Sequence, residues 1–256
     1  MRRLWKQIFD NSILLLAGRV IAKVATIAVM VGAARILGTE AFGAFSLMLA
    51  LSSISGLVSD FGLVLPTIRS ISVQTGDAAR LVGNTVPARA VWGAGGVVGI
   101  VVAGIVLQLD WLPVVLFALS SVLDTSSLAL IRSFEGKQEM RTVTLFIVAE
   151  RFTFCAVVLA GLWWSRSLEG VAISYLLSYT ITFLIALWMF QRRFGPVKVA
   201  IGPRSFSEHT KLGLPFVLSA VSSVLYYKAD TLLLNVFRTN TDVGLYNAAL
   251  RIIDAQ

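Results

Sequence analysis

Cysteine and histidine each occur once, as Cys155 and His209, and charged residues make up only 14% of the 256-residue chain. A lone cysteine excludes a disulfide framework within the chain, and a lone histidine excludes a histidine-based metal cluster. The sequence has no GxGxxG, no phosphate-cradling glycine loop and no metal-ligand spacing. It has no nucleophile with a base and an orienting group. The expectation is a protein that is not an enzyme, takes no cofactor or metal and hydrolyses no ATP. A soluble domain carries about 25% charge, so a water-soluble domain is excluded as well. Six prolines and 20 glycines are ordinary, which excludes a disordered or fibrous chain.

What the sequence does have is apolar length. Hydrophobic residues make up 57%, in stretches near the ~20 residues that cross a bilayer core of about 30 Å. Spans are predicted over 12–35, 42–65, 84–108, 111–131, 143–164, 170–190 and 212–237. An eighth begins near Val243 and has not crossed by Gln256. The fold expected is an all-α polytopic transmembrane helix bundle. The N-terminal Met1-Arg2-Arg3-Leu4-Trp5-Lys6 resembles a signal-peptide n-region. The apolar run after it is short and interrupted by Arg19 and Lys23, so it reads as an uncleaved first span.

The basic residues set the topology. Arg2, Arg3, Lys6, Arg69, Arg80, Arg132, Lys137, Arg141, Arg192, Arg193, Lys198, Arg204 and Lys211 fall in one set of connections; Arg35, Arg166 and Arg238 fall in the other. By the positive-inside rule the first set is cytoplasmic, with the N-terminus. The net charge of +8 is therefore a topological signal, not a nucleic-acid footprint. Trp5, Trp111, Trp163, Trp164 and Trp188 fall near span ends, as an interfacial belt requires.

The basic stretch 191–211 separates a first six-helix lobe, 1–190, from the start of a second, 212–256. A short repeat supports this division. Phe42-Gly43-Ala44-Phe45 and Val243-Gly244-Leu245-Tyr246 both follow a turn on the same predicted side and open the next helix. Tandem repeats of this kind are frequent in transporters.

Charges at bilayer depth each cost about 2.5–3.5 kcal/mol on the insertion scale, so they usually face a bundle interior or a wet cavity. Arg19 and Lys23 share a helical face with Ser12 and Thr26. Two cations this close need an anionic ligand, neighbouring carboxylates or escape to the headgroups. Asp124 lies with Ser120 and Ser127, and Asp230 with Ser219, Ser222 and Tyr226. Either carboxylate could serve a proton or Na⁺, or join hydroxyls that hydrogen-bond helices together. Glu150 and Arg151 diverge by about 100°, so each needs its own partner or a wet face. Asp60 and Arg89 lie near cytoplasmic span ends and read as snorkelling. Gly95, Gly99 and Ala103 form a small-residue face suited to close helix packing. Tyr175, Tyr179 and Thr182 make a stripe that serves packing or lines a sugar path.

Several segments together resemble the Wzx-type polysaccharide and O-antigen flippases. They are Ala34-Arg35-Ile36-Leu37-Gly38-Thr39-Glu40-Ala41-Phe42-Gly43-Ala44-Phe45, Asp60-Phe61-Gly62-Leu63, Gly213-Leu214-Pro215-Phe216, Asp230-Thr231-Leu232-Leu233-Leu234 and Val243-Gly244-Leu245-Tyr246-Asn247-Ala248-Ala249-Leu250-Arg251. That family is a branch of the multidrug/oligosaccharidyl-lipid/polysaccharide exporter superfamily. The resemblance implies two six-helix lobes around a central cavity in the cytoplasmic membrane. It implies flipping of undecaprenyl-diphosphate-linked oligosaccharide by alternating access, coupled to H⁺ or Na⁺. Mapped here, Arg19, Lys23 and Arg89 would face the diphosphate. Asp124, Glu150 and Asp230 would balance or couple charge. The alternatives are an ion-coupled multidrug or cation exporter of the same superfamily, and a non-transporting membrane partner in polysaccharide assembly. The family's members are longer, so the expectation is a truncated reading frame or a half-transporter pairing with a second chain.

Overall fold

The computed structural model describes the backbone of residues 2–73, 77–199, 203–238, 242–244, 246 and 250. Side chains are described at 18, 20, 22–73 and 77–199, and at most positions from Phe206 onward within those backbone ranges. Seven helices are described: α1 Arg2–Asp60, α2 Val64–Val73, α3 Ala78–Val106, α4 Trp111–Gly136, α5 Met140–Ser165, α6 Leu168–Phe194 and α7 Pro203–Phe237. Five segments are long and apolar enough to cross a membrane: Ala22–Asp60, Ala78–Val106, Trp111–Gly136, Met140–Ser165 and Leu168–Phe194. The chain is an all-α, multi-pass membrane protein.

The first two predicted spans are the two arms of α1, which breaks at Gly38, with φ 76 and ψ 175. That conformation is essentially restricted to glycine. A Cβ there would meet nothing within 4 Å, so the backbone angle, not space, demands the residue. Glycine also ends α1. Phe61 and Gly62 both take positive φ, and the Asp60 carboxylate accepts from Val64 N–H at 3.4 Å, satisfying one orphan donor of α2. Asp77 caps α3 through Ala79 N–H at 3.1 Å, and Ser167 caps α6 through Gly170 N–H at 3.2 Å.

The apolar faces of α1, α4, α5 and α6 meet in an aromatic cluster. Tyr175 of α6 lies 4.7 Å from Phe117 of α4 and 5.1 Å from Phe154 of α5, centroid to centroid. Phe45 packs 5.8 Å from Phe117. A second cluster, around Ile71, Ile131, Phe134, Val143 and Phe190, closes the end that carries α2. Valines such as Val98 and Val102 on α3, with Leu177 and Leu184 on α6, remain exposed. On a membrane protein that surface is the one presented to lipid.

Close packing uses small residues, because lipid supplies no hydrophobic drive between helices. The small face on α3 differs from the expected one. Gly95 and Gly99 have nothing within 4 Å, whereas a Cβ on Gly96 would come 2.8 Å from Ser55 Oγ and one on Gly104 2.8 Å from Val114. A four-residue spacing marks a stripe but does not say which of two neighbouring stripes faces inward.

The basic connection is shorter than its charge suggested. Helix α6 continues through Gln191, Arg192 and Arg193 to Phe194. Cations in a last turn suit the negative end of the helix dipole. Lys198 then lies on α3: its N–H donates to Ala79 O at 3.3 Å, and its ammonium meets Asp77 at 2.5 Å. Beyond it, α7 docks on α1 and α3. Trp92 stacks 4.0 Å from Phe61 and donates its indole N–H to Thr210 at 3.2 Å. The two repeats also touch: a Cβ on Gly244 would collide with Thr39 O and lie 3.3 Å from Gly43 N.

Candidate functional site

A cavity of about 520 Å³ opens between both arms of α1 and the inner faces of α4, α5 and α6. Its polar lining comes from Thr26, Ser52, Ser53 and Asp60 of α1, Ser121, Asp124 and Thr125 of α4, Arg151 of α5, and Tyr175 and Tyr179 of α6. Helical periodicity explains the α4 contribution, since residues 121, 124, 125 and 128 fall on one face. Most of these hydroxyls are already tied. Ser121 donates to Ala118 O at 2.7 Å and lies 3.1 Å from Ser55 Oγ. Thr26 donates to Ala22 O at 2.9 Å and Thr125 to Ser121 O at 3.0 Å. Their oxygens can still accept from a ligand.

Arg151 is the cation of this cavity. Its Nη2 lies 3.7 Å from Glu150 Oε1, and Asp124, Glu150 and Arg151 are within electrostatic reach of one another. Of the two expected solutions, a separate partner or a wet face, Arg151 has the second, since it lines the cavity, and the two side chains also reach each other. Their Cβ directions diverge, but two long side chains close the gap. Arg151 also sits 5.9 Å from the Phe154 ring, within cation–π range.

Arg89 is placed differently from the snorkelling read for it and for Asp60. Its Nη2 is 2.7 Å from Asp60 Oδ1, with both side chains largely buried, and Nη1 reaches Thr125 O at 3.4 Å. Asp60 lines the central cavity, while Arg89 lines a second pocket between α3, α4 and α6. The ion pair is thus part of the wall between them.

Lys23 is exposed on α1, about one turn before Thr26. The side chain of Arg19 lies outside the described residues. Asp230 lies on α7, half-buried, and accepts from Tyr246 Oη at 2.7 Å. It is separate from the residues that line the cavity. Of the residues singled out in the sequence, the fold brings together Asp124 and Glu150, with Arg151 beside them. Arg151 is visible in the sequence as a charge inside a span, but its neighbour on the helix conceals its direction.

The family model for polysaccharide biosynthesis protein matches residues 8–255. The chain belongs to the polysaccharide biosynthesis protein family. No curated protein matches this member significantly, but solved structures do. One is the MATE multidrug transporter DinF-BH, solved as a complex with a ligand: identity is 15% and the TM-score 0.75, over 98% of this chain and 61% of that one. A second is a MOP-superfamily transporter from Pyrococcus furiosus, described as having a binding pocket of reverse polarity. It is 16% identical with a TM-score of 0.69, over 98% of this chain and 60% of that one. A third is a MATE protein in complex with Br-NRF, 16% identical with a TM-score of 0.67, over 98% and 62%. These likenesses establish the fold. This family member spans about three-fifths of the length of each solved chain.

Proposed function

We propose that this family member forms the first lobe, and the start of the second, of a transporter that flips undecaprenyl-diphosphate-linked oligosaccharide across the cytoplasmic membrane by alternating access. The observation that carries this reading is the lining of the central cavity. Serine and threonine hydroxyls from two helices, two tyrosines, one guanidinium and the carboxylates of Asp60 and Asp124 surround it. Hydroxyls and aromatic faces suit a sugar, and a guanidinium suits a diphosphate, which it can engage bidentately. On this reading residues 1–190 are the first lobe, 191–211 the cytoplasmic connection and 212–256 the start of the second lobe, with the N-terminus cytoplasmic.

Arg151 contacts the diphosphate-sugar region from the cavity wall. Lys23 and Arg19 extend the positive path along α1 toward the cytoplasmic leaflet. Asp124 and Glu150 hold Arg151 when the cavity is empty and take up H⁺ or Na⁺ as the substrate competes for it. Asp230, tied to Tyr246, serves the coupling from the second lobe. Arg89, already neutralised by Asp60, holds the wall and does not bind diphosphate.

The test is complementation of a strain lacking the protein, reading the leaflet in which lipid-linked oligosaccharide accumulates. Arg151→Ala and Lys23→Ala should leave substrate on the cytoplasmic side at normal membrane levels of protein. Full complementation by the double variant would remove the cavity assignment. Rescue of cationic dye efflux with no change in glycan would favour the multidrug-exporter alternative instead.

A further inference from the structure

Arg192, in the last turn of α6, folds back along its own helix. Its guanidinium carbon lies 4.4 Å from the centre of the Trp188 ring, one turn toward the middle of the span, the direction in which helical side chains lean. Neighbouring cations at this end of the bundle have carboxylates. Arg193 has Glu139 at 2.7 Å, Arg132 has Glu135 at 2.6 Å, and Lys198 has Asp77. Arg192 has no carboxylate among the described residues, and none of them accepts its N–H groups.

Stacking engages the face of a guanidinium and leaves its edge of donors open. That edge matches two oxygens of a phosphate. A phosphate held there stands beside Trp188, a turn short of the carbonyls that end α6, and so avoids most of their partial negative charge. Trp188 is 54% exposed, and an exposed tryptophan at a span end sits at headgroup depth. Further into the span on the same helical face, Leu184 and Leu177 are exposed as well, which gives a track for an apolar chain. Charge, amphipathic ring and leucine track follow one another in the order of a phospholipid's own headgroup, interface and chain. A zwitterionic headgroup carries its own cation beside the phosphate. An anionic one does not, so a guanidinium with no carboxylate of its own favours the anionic lipid.

We propose that Trp188 and Arg192 hold an anionic phospholipid, its phosphate accepting from the edge of the Arg192 guanidinium and a chain lying along Leu184 and Leu177. The site is separate from the residues that line the central cavity, and its occupancy does not depend on the transport reading above.

The test is photolabelling of the full-length protein in vesicles of mixed phosphatidylglycerol and phosphatidylcholine. A trace of one lipid or the other carries a diazirine near the middle of one chain. Peptides covering Leu177–Trp188 should be labelled about fivefold more by the phosphatidylglycerol probe, the attraction of one basic residue for an anionic headgroup. Arg192→Ala should bring the two probes to near-equal labelling there, and Arg192→Gln stands in if that variant does not reach the membrane. Trp188→Leu keeps the cation but removes the ring that holds it, and should lower the preference about twofold or more. Arg141→Ala is the control. Arg141 is exposed at the start of α5, with neither a carboxylate nor a ring as partner among the described residues, and its loss should leave the preference intact. Equal labelling of the native protein by both probes would overturn the proposal, as would a preference that Trp188→Leu leaves unchanged. An equal fall in Arg141→Ala and Arg192→Ala would overturn it too, since the preference would then belong to diffuse surface charge.

Discussion

Arg89 and Asp60 meet at 2.7 Å between the middle of α3 and the end of α1, and the pair separates two cavities of opposite character. On the Asp60 side the lining is rich in hydroxyls and charge; on the Arg89 side it is almost wholly apolar. Breaking one half of a buried pair leaves the other charge uncompensated, at about 3–5 kcal/mol. Arg89→Ala is expected to lower the thermal unfolding midpoint in detergent sharply. Asp60→Asn with Arg89→Met should cost less than either single change. A double variant as unstable as the sum of the singles would show that the residues act independently.

Gly62 is expected to tolerate no side chain. Its φ of 68 is left-handed, and a Cβ would come within 2.7 Å of Gly213 O and of Phe216. The strain alone is worth about 1–3 kcal/mol. Gly62→Ala should loosen the docking of α7 on α1, seen as faster hydrogen exchange around Phe61–Val64 and Gly213–Val217. Unchanged exchange there would mean that the close approach does not hold α7.

The clasp between Lys198 and Asp77 should be pH-dependent. The hydrogen bond from Lys198, with its charge and the N–H groups of Ala79 and Arg80, holds the Asp77 carboxyl below its ordinary value against some desolvation. A depressed carboxylate contributes stability that is present above its unfolded pKa. That contribution is lost as pH falls through the folded one. Protection of 196–199 against exchange should therefore be constant near neutrality and fall below about pH 4. Asp77→Asn should show the low-pH behaviour already at pH 7. Identical profiles for the two proteins would sever the 196–199 segment from Asp77.

Tyr179 and Tyr175 stand 5.2 Å apart and line the central cavity. Tyr179→Phe keeps the ring and should retain transport. Tyr179→Ala removes a stacking face worth about 0.5–1.5 kcal/mol and should reduce flux several-fold. Equal flux in both variants would assign the tyrosines to packing alone.

Much of the fold is legible in one sequence. Hydropathy locates the spans, because a bilayer demands about 20 apolar residues whatever the packing. Gly38 falls in the gap between the first two of them, where the break in α1 lies. Partnerships between helices are less legible. Nothing in the local pattern around Arg89 names Asp60, and its position near a span end suggests snorkelling instead. The glycine stripe expected on α3 lies one face away from the close contacts, since Gly93, Gly95, Gly96 and Gly99 supply two overlapping small-residue periods. Arg151 stands out as a charge at depth. Its direction into the cavity depends on α4 and α6 packing around it, which no local spacing encodes.

The most direct test of the central claim is the leaflet distribution of lipid-linked oligosaccharide in cells carrying Arg151→Ala, with Arg132→Ala as control. Arg132 pairs with Glu135 within its own helix and lies outside the cavity lining. Arg151→Ala is expected to trap the substrate in the cytoplasmic leaflet while Arg132→Ala leaves it distributed as in the native strain. A native distribution in the Arg151→Ala strain, at equal protein levels, would contradict the assignment of this cavity as the path of the glycan.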